Sequence, residues 1–249
     1  MDWLAIAVAA VAGWLCGAFM NFLVDWLLAS RAAATLVCPA CERPKGFLDY
    51  LLNRPCQNCH KNRSVRSWIL QVALTIAMPV LWAFPPRRFC FWIALPYLLY
   101  FALVLAMDIE HRVILNEVSI LGVLLAIPLG LYWNGWVKTL LGAAAGFGIM
   151  LVLYYFGILF NKVMSKRRGE EIEEVALGFG DVNLSGVLGL MLGWPKIGLS
   201  LFFSVLAGGV FSGLYLLVAA LTRKYRAFSA VPYAPFLILA AIVLMYLTK

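Results

Sequence analysis

Charge is what this chain lacks. Only 13% of its residues are Asp, Glu, Lys or Arg, against 64% hydrophobic residues and a mean hydropathy of +0.90, a balance that excludes a soluble globular domain. Polar stretches are equally scarce: a single insert, residues 30–66, is long enough to fold by itself. There is no internal repeat of the kind many transporters show. The first apolar run lacks a basic n-region and a small-residue cleavage site, so it reads as a retained anchor and not as a removed signal peptide. The net charge of +8 does not point to nucleic acid. The same basic residues are accounted for by membrane topology and by attraction to anionic lipid headgroups.

What is present is a succession of apolar runs, each near the roughly 20 residues that a spanning helix needs. We place eight spans, at about 3–28, 67–84, 90–107, 117–133, 137–160, 182–194, 197–221 and 231–248. The expected fold is an all-α polytopic membrane protein with a small cytoplasmic insert: residues 1–29 form the first transmembrane helix, 30–66 the insert, and 67–249 a membrane-embedded core. The sixth run is short. It fits either a re-entrant segment or a helix that begins in the Gly178–Gly180 turn and is shielded from lipid by its neighbours. Basic residues are retained in cytoplasmic loops, and 15 of the 20 fall in alternate loops that include the insert. The N-terminus is therefore expected outside and the insert in the cytoplasm.

Four of the six cysteines form the strongest local motif, Cys38-Pro39-Ala40-Cys41 followed by Cys56-Gln57-Asn58-Cys59. Paired C-x-x-C knuckles suit a tetrahedral zinc ion, because two intervening residues let both thiolates reach one ion while turn amides donate to the sulfurs. Cytoplasmic thiols stay reduced, which weakens a disulfide reading. Four protein ligands leave no position for a substrate water, so Cys38, Cys41, Cys56 and Cys59 are expected to hold a structural zinc, with His60 as an alternative ligand. An insert of this size cannot build a stable core from burial alone, so metal binding would supply most of its folding free energy. Cys16 and Cys90 lie in apolar surroundings with no partner at motif spacing and are read as small hydrophobes.

Two aspartates border the apolar runs, Asp108 in Met107-Asp108-Ile109-Glu110-His111 and Asp181 in Gly178-Phe179-Gly180-Asp181. A carboxylate at membrane depth costs at least a few kcal/mol in desolvation, which makes each a candidate for function. Hydrolysis of a peptide needs one group to deprotonate water and another to protonate the carbonyl oxygen, and two carboxyls sharing a proton do both. Gly178 and Gly180 would permit positive φ and keep side chains away from an extended substrate backbone. Asp181 opens a helix whose N-terminal dipole favours the anionic form. His111 lies one helical turn after Asp108. Asp25 and Glu117 are read as interfacial carboxylates in contact with water.

Together these residues resemble the bacterial type IV prepilin peptidases, or type IV leader peptidases. Gly17-Ala18-Phe19-Met20-Asn21 is similar to the family's Gly-Ser-Phe-Leu-Asn, and the two knuckles follow in the first cytoplasmic loop. Met107-Asp108-Ile109-Glu110-His111 resembles its Ile-Asp-Leu-Asp/Glu-His, and Gly178-Phe179-Gly180-Asp181-Val182-Asn183-Leu184 its Gly-x-Gly-Asp-x-Lys-Leu. Leu192-Gly193-Trp194-Pro195 and Val231-Pro232-Tyr233-Ala234-Pro235-Phe236 resemble its later motifs.

The resemblance implies an intramembrane aspartyl protease of the Gly-x-Gly-Asp type in the bacterial inner membrane, with Asp108 and Asp181 catalytic. It would cleave the basic leader from prepilins or pseudopilins at the cytoplasmic face. It also implies, for many members, N-methylation of the new terminus with S-adenosylmethionine. The chain departs from the family at Trp26-Leu27-Leu28, Asn183 and Leu115, which leaves that second activity open. A non-catalytic scaffold of pilus or secretion assembly and a proton-coupled transporter using both aspartates are the alternative readings. The acidic run Glu170, Glu171, Glu173 and Glu174 reads as a solvated loop or, functionally, as a surface for the leader's lysines. If it steers the leader, neutralising all four glutamates raises KM; an unchanged KM dismisses that role.

Overall fold

The computed structural model describes residues 3–31, 36–38, 40–44, 46–60, 62–86, 90–168, 177–222 and 232–247. The acidic run Glu170–Glu174 and the basic residues Arg223, Lys224 and Arg226 lie outside the described residues. Within them the structure is all-helical, apart from an isolated bridge between Val37 and Pro44. A backbone crossing hydrocarbon must satisfy its own N–H and C=O groups, which an apolar helix does without partners.

The elements are α1 Trp3–Arg31, α2 Phe47–Leu51, α3 Val65–Ala83, α4 Phe91–His111, α5 Asn116–Arg168, α6 Phe179–Leu192, α7 Lys196–Leu221 and α8 Ala234–Leu247. Helix α5 is two helices. Gly135 interrupts it at φ 72 and ψ 164, a left-handed backbone that glycine adopts without steric cost. Helices α1, α3, α4, α5 and α7 are long and apolar enough to cross a membrane. With α5 divided and the shorter apolar α6 and α8 added, eight apolar segments correspond to the eight expected spans. A helix of 14 residues is about 21 Å long, short of the roughly 30 Å of hydrocarbon. Shielding resolves this for α6, where ten of the 14 residues are buried by protein.

The chain forms two compact units, Met1–Glu110 and His111–Lys249. In the first, α1 and α3 pack backbone to backbone. A Cβ at Gly13 would run into the Leu74 carbonyl oxygen, and one at Gly17 would lie 2.7 Å from the Gln71 Cα. Asn21, also on this face, donates through Nδ2 to the Ser67 carbonyl at 3.0 Å. The short α2 docks on the same pair. Trp14 Nε1 donates to the Leu51 carbonyl at 2.9 Å, and the buried Gln71 Nε2 donates to the Tyr50 and Leu51 carbonyls, both at 3.3 Å. These are the C-terminal carbonyls that a helix cannot satisfy internally.

In the second unit α6 lies against both halves of α5. A Cβ at Gly130 would strike the Leu190 carbonyl, at Gly142 the Gly189 carbonyl, at Gly146 the Ser185 carbonyl, and at Gly189 the Gly142 carbonyl. Lipid supplies no hydrophobic drive between helices, so close approach through small residues is what holds them. At the far end of α6, Gly193 turns the chain at φ 70 and Asn134 Nδ2 donates to the Met191 carbonyl at 3.1 Å. We expect Gly142→Ala to destabilise the detergent-solubilised protein by about 1–3 kcal/mol, the usual cost of overpacking. Gly148→Ala, with nothing within 4 Å, should leave the thermal midpoint unchanged or slightly raised.

Candidate active site and metal centre

The four cysteines come together. Each knuckle is closed by the residue after it: the Glu42 N–H donates to the Cys38 carbonyl at 2.9 Å and the His60 N–H to the Cys56 carbonyl at 2.8 Å, with φ of 55° and 53° respectively. The Sγ atoms of Cys38, Cys41, Cys56 and Cys59 lie within 4.8 Å of one another. Cys38 and Cys59 are 3.6 Å apart and Cys41 and Cys56 3.5 Å, so each close pair spans both knuckles. Tetrahedral ligation with Zn–S near 2.3 Å needs sulfurs about 3.8 Å apart, a spacing these thiols approach. The Cys59 and then the Asn58 backbone N–H groups lower the Cys56 thiol to about 6, and the Ala40 N–H lowers Cys38. Amides aimed at sulfur are what a thiolate centre requires. His60 is not part of this group. Its part is the left-handed turn that ends the second knuckle.

Asp181 is the third residue of α6, and the turn before it is built around its carboxylate. The Gly178 N–H donates to Oδ2 at 3.2 Å, the Asp181 N–H donates to the Gly178 carbonyl at 3.1 Å, and Ser185 Oγ donates to the Asp181 carbonyl at 2.8 Å. The positive φ expected of the glycines needs correcting. Gly178 sits at φ −78 and ψ 147, open to any residue. Gly180 is required by packing, since a Cβ there would lie 2.8 Å from the Ile114 Cβ. Phe179 anchors the turn, its ring edge-on to Tyr154 at 5.8 Å and to Phe147 at 6.5 Å. Tyr233, just before α8, lies within electrostatic range of Asp181 and shares a hydrogen bond of 3.1 Å with Ser204.

Asp108 lies in the last turn of α4, in the first unit, and is 5% exposed; Asp181, in the second, is 6% exposed. His111 ends α4 and is exposed. Asp25, read as interfacial, is partly exposed and also paired. Tyr50 Oη donates to its Oδ2 at 2.7 Å and Arg66 Nη2 to its Oδ1 at 2.5 Å. Burial, and next the Asp25 charge, push the Tyr50 hydroxyl up, which keeps it protonated as the donor. Arg63 stacks over the Tyr50 ring at 3.8 Å. The hint in the sequence was an acidic residue at the end of α1 facing an arginine-rich insert. Glu117 is exposed, as expected.

Residues 92–213 match the profile of the type IV leader peptidase family, a stretch that holds both aspartates. Over that stretch, just under half of its length, the chain is similar to the type IV leader peptidase family. Three relatives carry the name prepilin leader peptidase/N-methyltransferase. That of Bacillus subtilis (strain 168) is 32% identical over 142 residues, 56% of this chain and 49% of the relative. The Legionella pneumophila protein is 24% identical over 208 residues, 79% and 64% of the two chains. The Aeromonas salmonicida (strain A449) protein is 26% identical over 231 residues, 82% and 68%. The chain thus spans about half to two thirds of the length of these relatives. The profile of Sprouty proteins also matches, over residues 14–98, a stretch that contains all six cysteines. Alignments covering 82% of the chain necessarily run into that stretch as well. No solved structure matches.

The four-cysteine cluster makes a direct expectation. Stripping metal with a chelator, or Cys56→Ser, opens the insert: cysteines protected in the native protein become alkylated, counted by intact mass, and protease cuts between residues 36 and 62. An insert that stays protected after chelation would mean that its fold does not depend on an ion.

Proposed function

We propose that this chain is a prepilin leader peptidase, an integral protein of the bacterial inner membrane that hydrolyses the bond after the basic leader of a prepilin or pseudopilin at the cytoplasmic face. The observation that carries the reading is a pair of buried aspartates, Asp108 and Asp181, inside the segment matched to the leader peptidase family. Structural ion pairs bury carboxylates too, but two of them at the ends of apolar helices, with nearby apolar residues to exclude water, suit acid–base chemistry on a peptide. Like charges at close range cannot both ionise, so the pair would titrate as a unit with one proton between them.

Asp181 is the better base. Its carboxylate accepts the Gly178 N–H at the N-terminal turn of α6, where the helix dipole also favours the anion. It would take the proton of the attacking water while a protonated Asp108 donates to the carbonyl oxygen of the scissile bond. The absence of side chains at Gly178 and Gly180 and the exposed imidazole of His111 would position the substrate backbone. The basic loops support an outside N-terminus, with the insert and active site facing the cytoplasm.

Residues 30–66 are proposed to fold about a structural zinc held by Cys38, Cys41, Cys56 and Cys59, and 67–249 to form the protease core. The ion would supply folding free energy and take no part in hydrolysis. N-methylation is supported by the word N-methyltransferase in the names of the relatives, S-adenosylmethionine would be its methyl donor, and Asn183 and Leu115 mark where this chain departs from the family pattern.

Asp108→Asn and Asp181→Asn should each abolish processing of a purified prepilin, leaving at most about 0.1% of the rate, the order of magnitude by which positioned general acid–base groups accelerate reactions. Expression and thermal midpoint should stay unchanged. Intact-mass measurement with and without S-adenosylmethionine reads cleavage and methylation in one assay. Retained cleavage in either variant refutes the dyad.

A further inference from the structure

We propose that Arg66 is a positioning residue for Asp108. The inference rests on the peptidase reading of that aspartate. At the start of α3 the Arg66 guanidinium holds two carboxylates at once: Nη2 donates to Asp25 Oδ1 at 2.5 Å, and Nη1 lies 2.6 Å from Glu110 Oε2. The second contact is an ion pair whose N–H is not aimed along the line of approach. The Arg66 side chain is 9% exposed, that of Asp25 19% and that of Glu110 32%, so water screens the Asp25 pair less than the Glu110 pair.

Glu110 is two residues beyond Asp108 on the same helix. Two residues turn an α-helix by about 200°, so Glu110 leaves α4 on nearly the opposite side from Asp108. Gripping Glu110 therefore fixes the turn that carries Asp108 without obstructing the aspartate. That turn needs a grip. A glutamate in the last turn of a helix meets the negative end of the dipole and the unsatisfied carbonyls, an arrangement that promotes fraying. Arg66 supplies the opposing charge. Lysine, with a single point charge in place of a planar fork, would hold one carboxylate and release the other.

The same guanidinium reaches the insert. Asp25 receives the Tyr50 hydroxyl at 2.7 Å, Tyr50 sits on α2, and Arg63, stacked on the Tyr50 ring, lies 3.9 Å from Asp25 Oδ2. A cavity of about 260 Å³ lies among these groups, with Cys38 and Cys56 on its wall beside Arg63, Arg66 and Glu110. The insert, α1, α3 and the end of α4 thus share one charged junction, through which the fold of the insert sets the position of the aspartate's turn.

The test uses the full chain in lipid nanodiscs with a synthetic peptide of basic leader and apolar helix, comparing wild type with Arg66→Lys, Glu110→Gln and the double variant. Expected are a fall in kcat of about tenfold for each single variant, since a misplacement near 1 Å costs up to about a hundredfold, and KM within twofold. The double variant should be no slower than Arg66→Lys alone, because both remove one contact. Backbone hydrogen exchange at 106–111 should quicken in all three. Tyr50→Phe, which deletes only a hydroxyl, gives a smaller loss of the same kind and serves if Arg66→Lys does not fold. Unchanged kcat in folded, metal-loaded protein, a loss carried by KM, or additive effects overturn the proposal. If the wild type cleaves nothing, the peptidase reading fails by itself. Exchange then decides the coupling, quickened exchange upholding it and unchanged exchange overturning it.

Discussion

A carboxylate taken out of water has to be answered by donors or opposite charge within reach, because its desolvation amounts to several kcal/mol that distant groups do not return. In the first unit the partly buried Asp25 is answered by the Arg66 and Arg63 guanidinium groups and the Tyr50 hydroxyl, and Arg66 also reaches the more exposed Glu110. In the second the Asp181 carboxylate is answered by the Gly178 N–H of its own turn. The two solutions differ in reach. A side-chain junction ties together elements far apart in the chain, whereas a backbone turn fixes one residue locally and leaves its helix to be placed by packing.

Packing in turn is limited by what lipid offers. Hydrocarbon tails are as apolar as leucine, so helices gain little by hiding such side chains from them, and close backbone approach through small residues takes over. Gly13 and Gly17 do this for α1 and α3, and Gly130, Gly142, Gly146 and Gly189 for α5 and α6. The second set bears on the candidate site. Ser185, whose carbonyl meets Gly146, is one turn after Asp181 and donates to its carbonyl. The depth at which α6 is seated against α5 is therefore the depth at which Asp181 is held.

Much of this was legible along the chain. The apolar runs, the boundary between spans at 134–136, where Gly135 breaks α5, and the start of α6 after Gly178 are local features with local causes. So are the knuckles, whose two-residue spacing already implies that both thiolates of a pair face one point. The charged junction was not legible. Asp25, Tyr50, Arg66 and Glu110 are separated by tens of residues, and no periodicity connects them. Positive φ was the wrong expectation for Gly180, where a Cβ would lie 2.8 Å from that of Ile114 on another segment.

Composition and the order of motifs were enough to determine a helical membrane protein, a four-thiolate insert and two candidate carboxylates, because hydrocarbon leaves the backbone one economical conformation and a thiolate cluster needs close sequence spacing. Which residue caps which helix, that Arg66 serves two acids, that Asp25 is ion-paired, and that Gly142 and Gly189 meet were decided by tertiary structure alone. These are relations between segments, set by three-dimensional packing and by the need of a charge drawn away from water for a donor or an opposite charge, and a linear pattern does not encode them.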